Sequence, residues 1–549
     1  ANQQNSNIPG GGANVPATQD KGVQVAAAVG INITKHQAKA LVSGSLTALD
    51  VKLHAENNAN FRSRANGATV TLASSNLAIA AGVAVSVNQN KAIAENSGTI
   101  ITRLPEGGNP EEPGNLVIVA VHTANMDGIY RGTLGAQALA GSVTGKGSNA
   151  TISGAFAVLR SKAETRAATM EGSVLNARGD LEITASDKTK LAVRAGGVSV
   201  STGTSIGVGA SFALIYAENQ VLALVEDGTK TLKCGGDLKV NAIKHKVTMA
   251  DYDLSLDKSM LITDTTGLTA EEEAQVTKGV LNLKKGGSGY EVTINMSTDK
   301  LIDAIDLLNF LSSVNYYAEA VAGAIVAPSG DSKFALAGSF AMLFYGNQVK
   351  AYVGKLEENG EISVTGSAEV LARNETTARL IAGSLNVSPA TLGVGLTVGS
   401  ICNSNKSLTD TTIAETAGKL SVGGSFTQRA ENDTDYLSVT VAASVADGAS
   451  GNAVGGAVNV IDMQNHVWSA VTGEVTAEEA VDVLALNHAR LIIVPLAVAA
   501  GLGSKVAGGA AVSVIVTGTD TQAWTGSGAK LTSKGGSVAV RALTDEGLM

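Results

Sequence analysis

The chain has 549 residues and a formal net charge of −9, with 63 Gly, 8 Pro, 2 Cys, 3% aromatic, 16% charged and 44% hydrophobic residues. High apolar content with low charge excludes a long disordered chain; scarce Pro without a Gly-X-Y period excludes collagen; two Cys exclude a disulfide scaffold. Negative charge and few stacking aromatics argue against nucleic-acid binding, leaving a large protein whose core is built from small residues.

Ala1 to Gly22 is polar, Gly-rich and Pro-containing, and reads as an N-terminal linker or assembly tail. From Val23 two patterns alternate. The first is a Gly/Ala-rich alternating strand, a polar position and a second alternating strand, as in Gly82 to Glu95, Gly209 to Glu226, Ala337 to Gly354 and Gly455 to Gly473. The polar position is held by Gln37, Asn90, Glu164, Asn219, Asn347, Asn405, Asn465 and Thr521, in steps of 53, 74, 55, 128, 58, 60 and 56 residues. It reads as a turn. Asn90, Asn219, Asn347, Asn405 and Asn465 then form a structural turn ladder, stacking side-chain amides coil after coil. The second pattern is a short strand ending in Ala, as in Gly114 to Ala120, Gly179 to Ala185, Gly236 to Ala242 and Gly536 to Ala542.

Both patterns alternate with period two, which predicts strands. Eight ordered pairs predict a mainly β fold, a parallel β-solenoid of about eight repeats over residues 23–250 and 332–549. The aromatics are too few for tandem sandwiches, and no blade signature marks a propeller. Two or three coils per repeat would give a rod on the order of 100 Å long. Glycines at strand starts are expected to supply positive φ at the corners.

The single step of 128 marks an insertion over 251–331, which predicts one α-containing excursion. Ser297 to Val314 carries a capping Ser and an apolar stripe of Leu301, Ile305, Leu308 and Leu311, so a helix is expected near 298–313. Leu268 to Lys285 is a weaker helix candidate. Asp251 and Asp253 have a spacing that could gather calcium, against a default of a solvated acidic loop; the loop lacks the Gly and terminal Glu of an EF-hand. No other cofactor is signalled.

Elsewhere the chemistry is sparse. Cys234 and Cys402 fall at non-equivalent repeat positions and are expected to stay unpaired. The six His are scattered without metal-ligand spacing and read as surface or turn residues. Gly203 to Gly207 matches Gly-x-Ser-x-Gly by letter, but a strand follows Ser205 where a nucleophile elbow needs a helix. Leu491 to Gly503 is too short to span a bilayer and reads as a buried strand.

The combination G-x-G-x-S-x-A, N-x-V-x-A-x-V and G-D-L-x-V-x-A resembles the repeats of very large secreted surface proteins of Gram-negative bacteria. These are the filamentous adhesin and leukotoxin-like group, whose passenger regions are β-solenoids. The likeness covers roughly Val23 to Ala250 and Ser332 to Ala542. It implies a non-enzymatic structural or adhesive rod, extracellular or on a bacterial surface. Its partners would be further copies joined end to end or a surface receptor, with no nucleic acid and no integral membrane segment. Two alternatives are a glycan-active β-helix enzyme and a membrane-active toxin segment built on Leu491 to Val516.

Overall fold

The computed structural model describes residues 22–71, 77–103, 114–123, 133–144, 149–202, 206–247, 281–283, 292–294, 314–327, 334–388, 392–403, 409–447, 451–502 and 506–548. These residues form a parallel β-solenoid with three faces. A long face stacks 20-residue strands such as Val23–Val42, Leu77–Asn96, Ala150–Thr169, Ile206–Val225, Phe334–Val353, Asn452–Val471 and Val506–Thr525. A short face stacks strands of four residues, such as Thr99–Thr102 and Val174–Ala177. A return face carries the chain back, in two pieces early on (Val51–Asn58 and Phe61–Thr71) and in one strand later (Ala368–Ser388, Phe426–Asp447, Val481–Leu502).

Each repeat is one coil. Leu77 pairs with Val23 below and Ala150 above, and this residue-for-residue register continues from coil to coil. Eight coils at a strand spacing of about 4.8 Å make a stack only ~35 Å high, while a 20-residue strand spans ~65 Å. The expected long rod is therefore corrected to a broad, shallow block. The reason is that the polar position of the first pattern does not turn. Leu77–Asn96 runs straight through Asn90, so one strand occupies the length that two were expected to share.

The interior is divided along the strand direction. At one end three faces enclose a prism filled largely by Leu, Ile and Val, such as Ile100, Leu116, Leu175, Leu232 and Val353, with Phe426 among them. At the other end only the long and return faces meet; beyond a row of larger residues such as Leu159, Ile215, Leu343 and Ile401, their inner residues are mostly small, among them Ala80, Ala84, Ala138, Ala157, Ala213 and Ala382. The two sheets approach so closely there that side chains larger than hydrogen are excluded at some points. A Cβ at Gly209 would lie 2.1 Å from the Gly323 carbonyl oxygen, and one at Gly197 would lie 2.0 Å from that of Ala210. Close approach, more than turn geometry, explains the glycine content. Among the described glycines, positive φ occurs at Gly114, Gly172, Gly228 and Gly528, and of these only Gly114 opens a strand of the second pattern.

The solenoid resumes inside the span expected as insertion. Tyr316–Ala327 is a return-face strand between Lys190–Thr202 and Ala368–Ser388. Leu281–Leu283, within the weaker helix candidate, is instead a strand paired antiparallel with Val292–Ile294. The helix expected near 298–313, the N-terminal tail up to residue 21, and Ser205 lie outside the described residues.

Candidate functional site: a buried polar seam and an apolar face

Between the two apolar interiors runs a column of buried polar side chains. On the return face it is formed by Asn57, His122, Asp187, Lys244, Asn374, Asn432 and Asn487, stacked in direct register. All face inward and are buried. His122 Nδ1 donates to Asp187 Oδ2 at 2.8 Å, and Lys244 Nζ donates to Asp187 Oδ1 at 3.1 Å. Burial pushes the Asp187 carboxyl up, but Lys244 and His122 outweigh it and hold it below the usual carboxylate range. Further along, Asn374 Nδ2 donates to Asn432 Oδ1 (3.0 Å) and Asn432 Nδ2 to Asn487 Oδ1 (2.7 Å), a true amide ladder.

The long face supplies the opposing column. Asn90, Asn219, Asn347 and Asn465 are buried there in mid-strand, so the expected turn ladder is corrected to an internal one. Where two such Asn stack, their amides partner across the strand spacing, whereas the Asn90 amide, between His36 and Ala163, has no hydrogen-bond partner among the described residues. Asn219 Nδ2 donates to Asn347 Oδ1 at 3.1 Å. The ladder is interrupted: Ala163, next to Glu164, holds the inward place between Asn90 and Asn219. Asn405 lies outside the described residues, and Asp410 takes the place between Asn347 and Asn465. Asp410 Oδ1 accepts from the Asn347 backbone N–H at 2.7 Å; burial pushes its carboxyl up to about 7, despite that bond and the nearby Lys244. Tyr316, Tyr345 and Tyr436 close the seam, with the Tyr316 hydroxyl donating to Asn347 Oδ1 at 2.7 Å and Tyr345 bonded to Tyr436.

The seam is only partly legible in the sequence. The Asn series signals recurrence. The His122–Asp187–Lys244 group escapes sequence reading, and His122 is buried, not at a surface or turn. Its signal is the position two residues after the recurrent Ala of the second pattern, which is polar in every repeat: Asn57, His122, Asp187, Lys244, Asn374, Asn432, Asn487 and Thr544. The group is sealed from solvent, and among the described residues His122 Nε2 has no hydrogen-bond partner. Asp251 and Asp253 lie outside the described residues, and among those described no group of three or more His, Cys, Asp or Glu is arranged to hold a metal. Cys234 and Cys402 form no disulfide.

The outer surface of the thin half is the second feature. Small residues face in there, so the large ones of the alternation face out. Val83, Phe156, Phe212, Phe340, Val398 and Val458 form one outward column of the long face, and the Phe156 and Phe212 rings stack at 4.9 Å. The return face likewise exposes Val198, Val321 and Leu385. Phe156 is 41% exposed and Leu385 is 44% exposed, although both sit in mid-sheet. The Leu491 to Gly503 run shares this pattern: it is strand as far as Leu502, but Leu496 is 47% exposed, which corrects its reading as buried. No helix among the described residues is long and apolar enough to cross a membrane.

No family model, curated protein or solved structure matches this chain.

Proposed function

We propose that the chain is a non-enzymatic structural or adhesive solenoid segment, extracellular or on a bacterial surface, which extends by stacking coil on coil. The observation that carries this reading is the match between its two terminal edges. Val23–Val42 and Val506–Thr525 are each 20 residues long, and each is paired on one side only among the described residues. Their inward residues are of the same small kind, Ala26, Ala28 and Gly30 against Gly509, Ala511 and Ser513. An unpaired edge of this length is a template for another strand, and a matching coil satisfies both edges at once. Lys35 and Lys39 place charge on one half of the Val23–Val42 edge, while the other half carries exposed Val25 and Val29, with Val512 exposed on the opposite edge.

Electron microscopy of the purified full chain tests the reading. Stacks whose length grows with concentration, in steps of about 35 Å, are expected. Single blocks at every concentration would sink it. A glycan-active reading would instead require clustered carboxylates in an open groove and release of sugars from a polysaccharide panel.

A further inference from the structure

We infer that the apolar outer face of the thin half is an interface for a second copy of this chain, paired face to face and antiparallel along the stack. The inference is independent of end-to-end growth. Three observations carry it.

The first is inversion. In the N-terminal half of each long-face strand the bulky residues point out and the small ones in, so this half buries little apolar surface on its own. The outward positions hold no charge from Leu77 to Val87, from Ile206 to Leu214, or from Phe334 to Met342. Such a contiguous apolar surface exceeds what a soluble monomer exposes singly.

The second is area. About nine residues of strand by eight coils is roughly 30 Å by 35 Å, or about 1,000 Å² on each copy. A stable protein pair needs about 800 Å² from each partner.

The third is charge. Beyond the apolar band, the same strands carry an outward belt of polar residues. In the first three coils this belt has six basic residues against two acidic ones, including Lys35, Lys39 and Lys162. In the last five coils the described belt has four acidic residues (Glu218, Glu415, Asp462, Asp520) against one basic, Lys350. A two-fold axis along the strands lays band on band and reverses the stacking order. The basic belt of one copy then faces the acidic belt of the other. A two-fold axis along the stack would instead reverse the strands and carry the two belts to opposite sides of the apolar band, where neither meets the other. Because the contact is isologous it closes at two copies, whereas end stacking does not close.

Sedimentation velocity of the full chain over a concentration series reads the pairing, and cross-linking reads its geometry. Expected is a pair whose dissociation constant rises at least tenfold on Lys35→Glu with Lys39→Glu. These residues are exposed, so the fold is spared. Adding Asp462→Lys and Asp520→Lys should restore the affinity. In a Cys402→Ser background, Leu214→Cys at mid-face should join two copies through a short bifunctional thiol reagent, which end stacking alone cannot do. A monomer at all concentrations, charge reversal without effect, or no cross-link at Leu214→Cys would overturn the inference. So would flotation of the unpaired chain with phosphatidylcholine vesicles, which would make lipid the occupant of the face.

Discussion

At the scale of single residues, the seam sets charged groups among neutral amides, and the two kinds respond differently to change. Asp410 is fully buried, and its carboxyl is pushed from 3.8 up to about 7. Folding thus favours the protonated form. The stabilisation from that preference is complete below about pH 4 and is lost as pH rises through about 7, where the group must ionise in place. Asp410→Asn, which keeps an acceptor beside the Asn347 N–H, should flatten the thermal stability profile between about pH 4 and 7. At pH 8 it should raise stability by a few kcal/mol, since each tenfold change in proton affinity is worth about 1.4 kcal/mol. A variant less stable than the parent at pH 8 would contradict this. Asp187 behaves oppositely, since Lys244 and His122 compensate its charge. Asp187→Asn or Lys244→Asn alone should cost about 3–5 kcal/mol in urea unfolding, by leaving a buried partner uncompensated. The double variant extends the Asn374–Asn432–Asn487 ladder and should cost less than either single change. Strictly additive losses would count against the coupling.

At the scale of the strand, period two is visible in the sequence, and it places strands correctly along nearly every repeat. What it cannot show is continuity. Asn219 is a turn-forming residue type, and nothing local distinguishes a turn from an inward Asn whose amide partner, Asn347, lies 128 positions away. For the same reason the inner and outer faces of the thin half cannot be assigned from the pattern: alternation fixes two sides but not which one is covered. The glycines resolve it, and they predict a contrast. Gly209→Ala would drive a methyl group into the Gly323 carbonyl and should destabilise by about 1–3 kcal/mol. Gly154→Ala faces open space and should be neutral or stabilising by up to about 1 kcal/mol. Equal effects in thermal denaturation would show that the sheets are not in close contact there.

At the scale of the whole molecule, the repeat count carries over directly: eight ordered pairs of patterns become eight coils. The dimensions do not, because coil circumference depends on where the chain bends, and the corner signals lie in short segments such as Val42 to Ser45 and Ala48 to Val51 rather than at the conspicuous Asn positions. The functional reading rests on this scale too, since edges, faces and charge polarity belong to the stack and to no single motif. Each coil joins its neighbours along rows of hydrogen bonds that point up the stack, while the covalent chain runs across it. The block is therefore mechanically anisotropic. Tension along the strands loads backbone covalent bonds and many hydrogen bonds in shear. Tension applied along the stack through the chain's own ends meets one corner of one coil, and opens its rungs in sequence. A solenoid of this shape resists being stretched sideways and yields by unwinding one turn at a time.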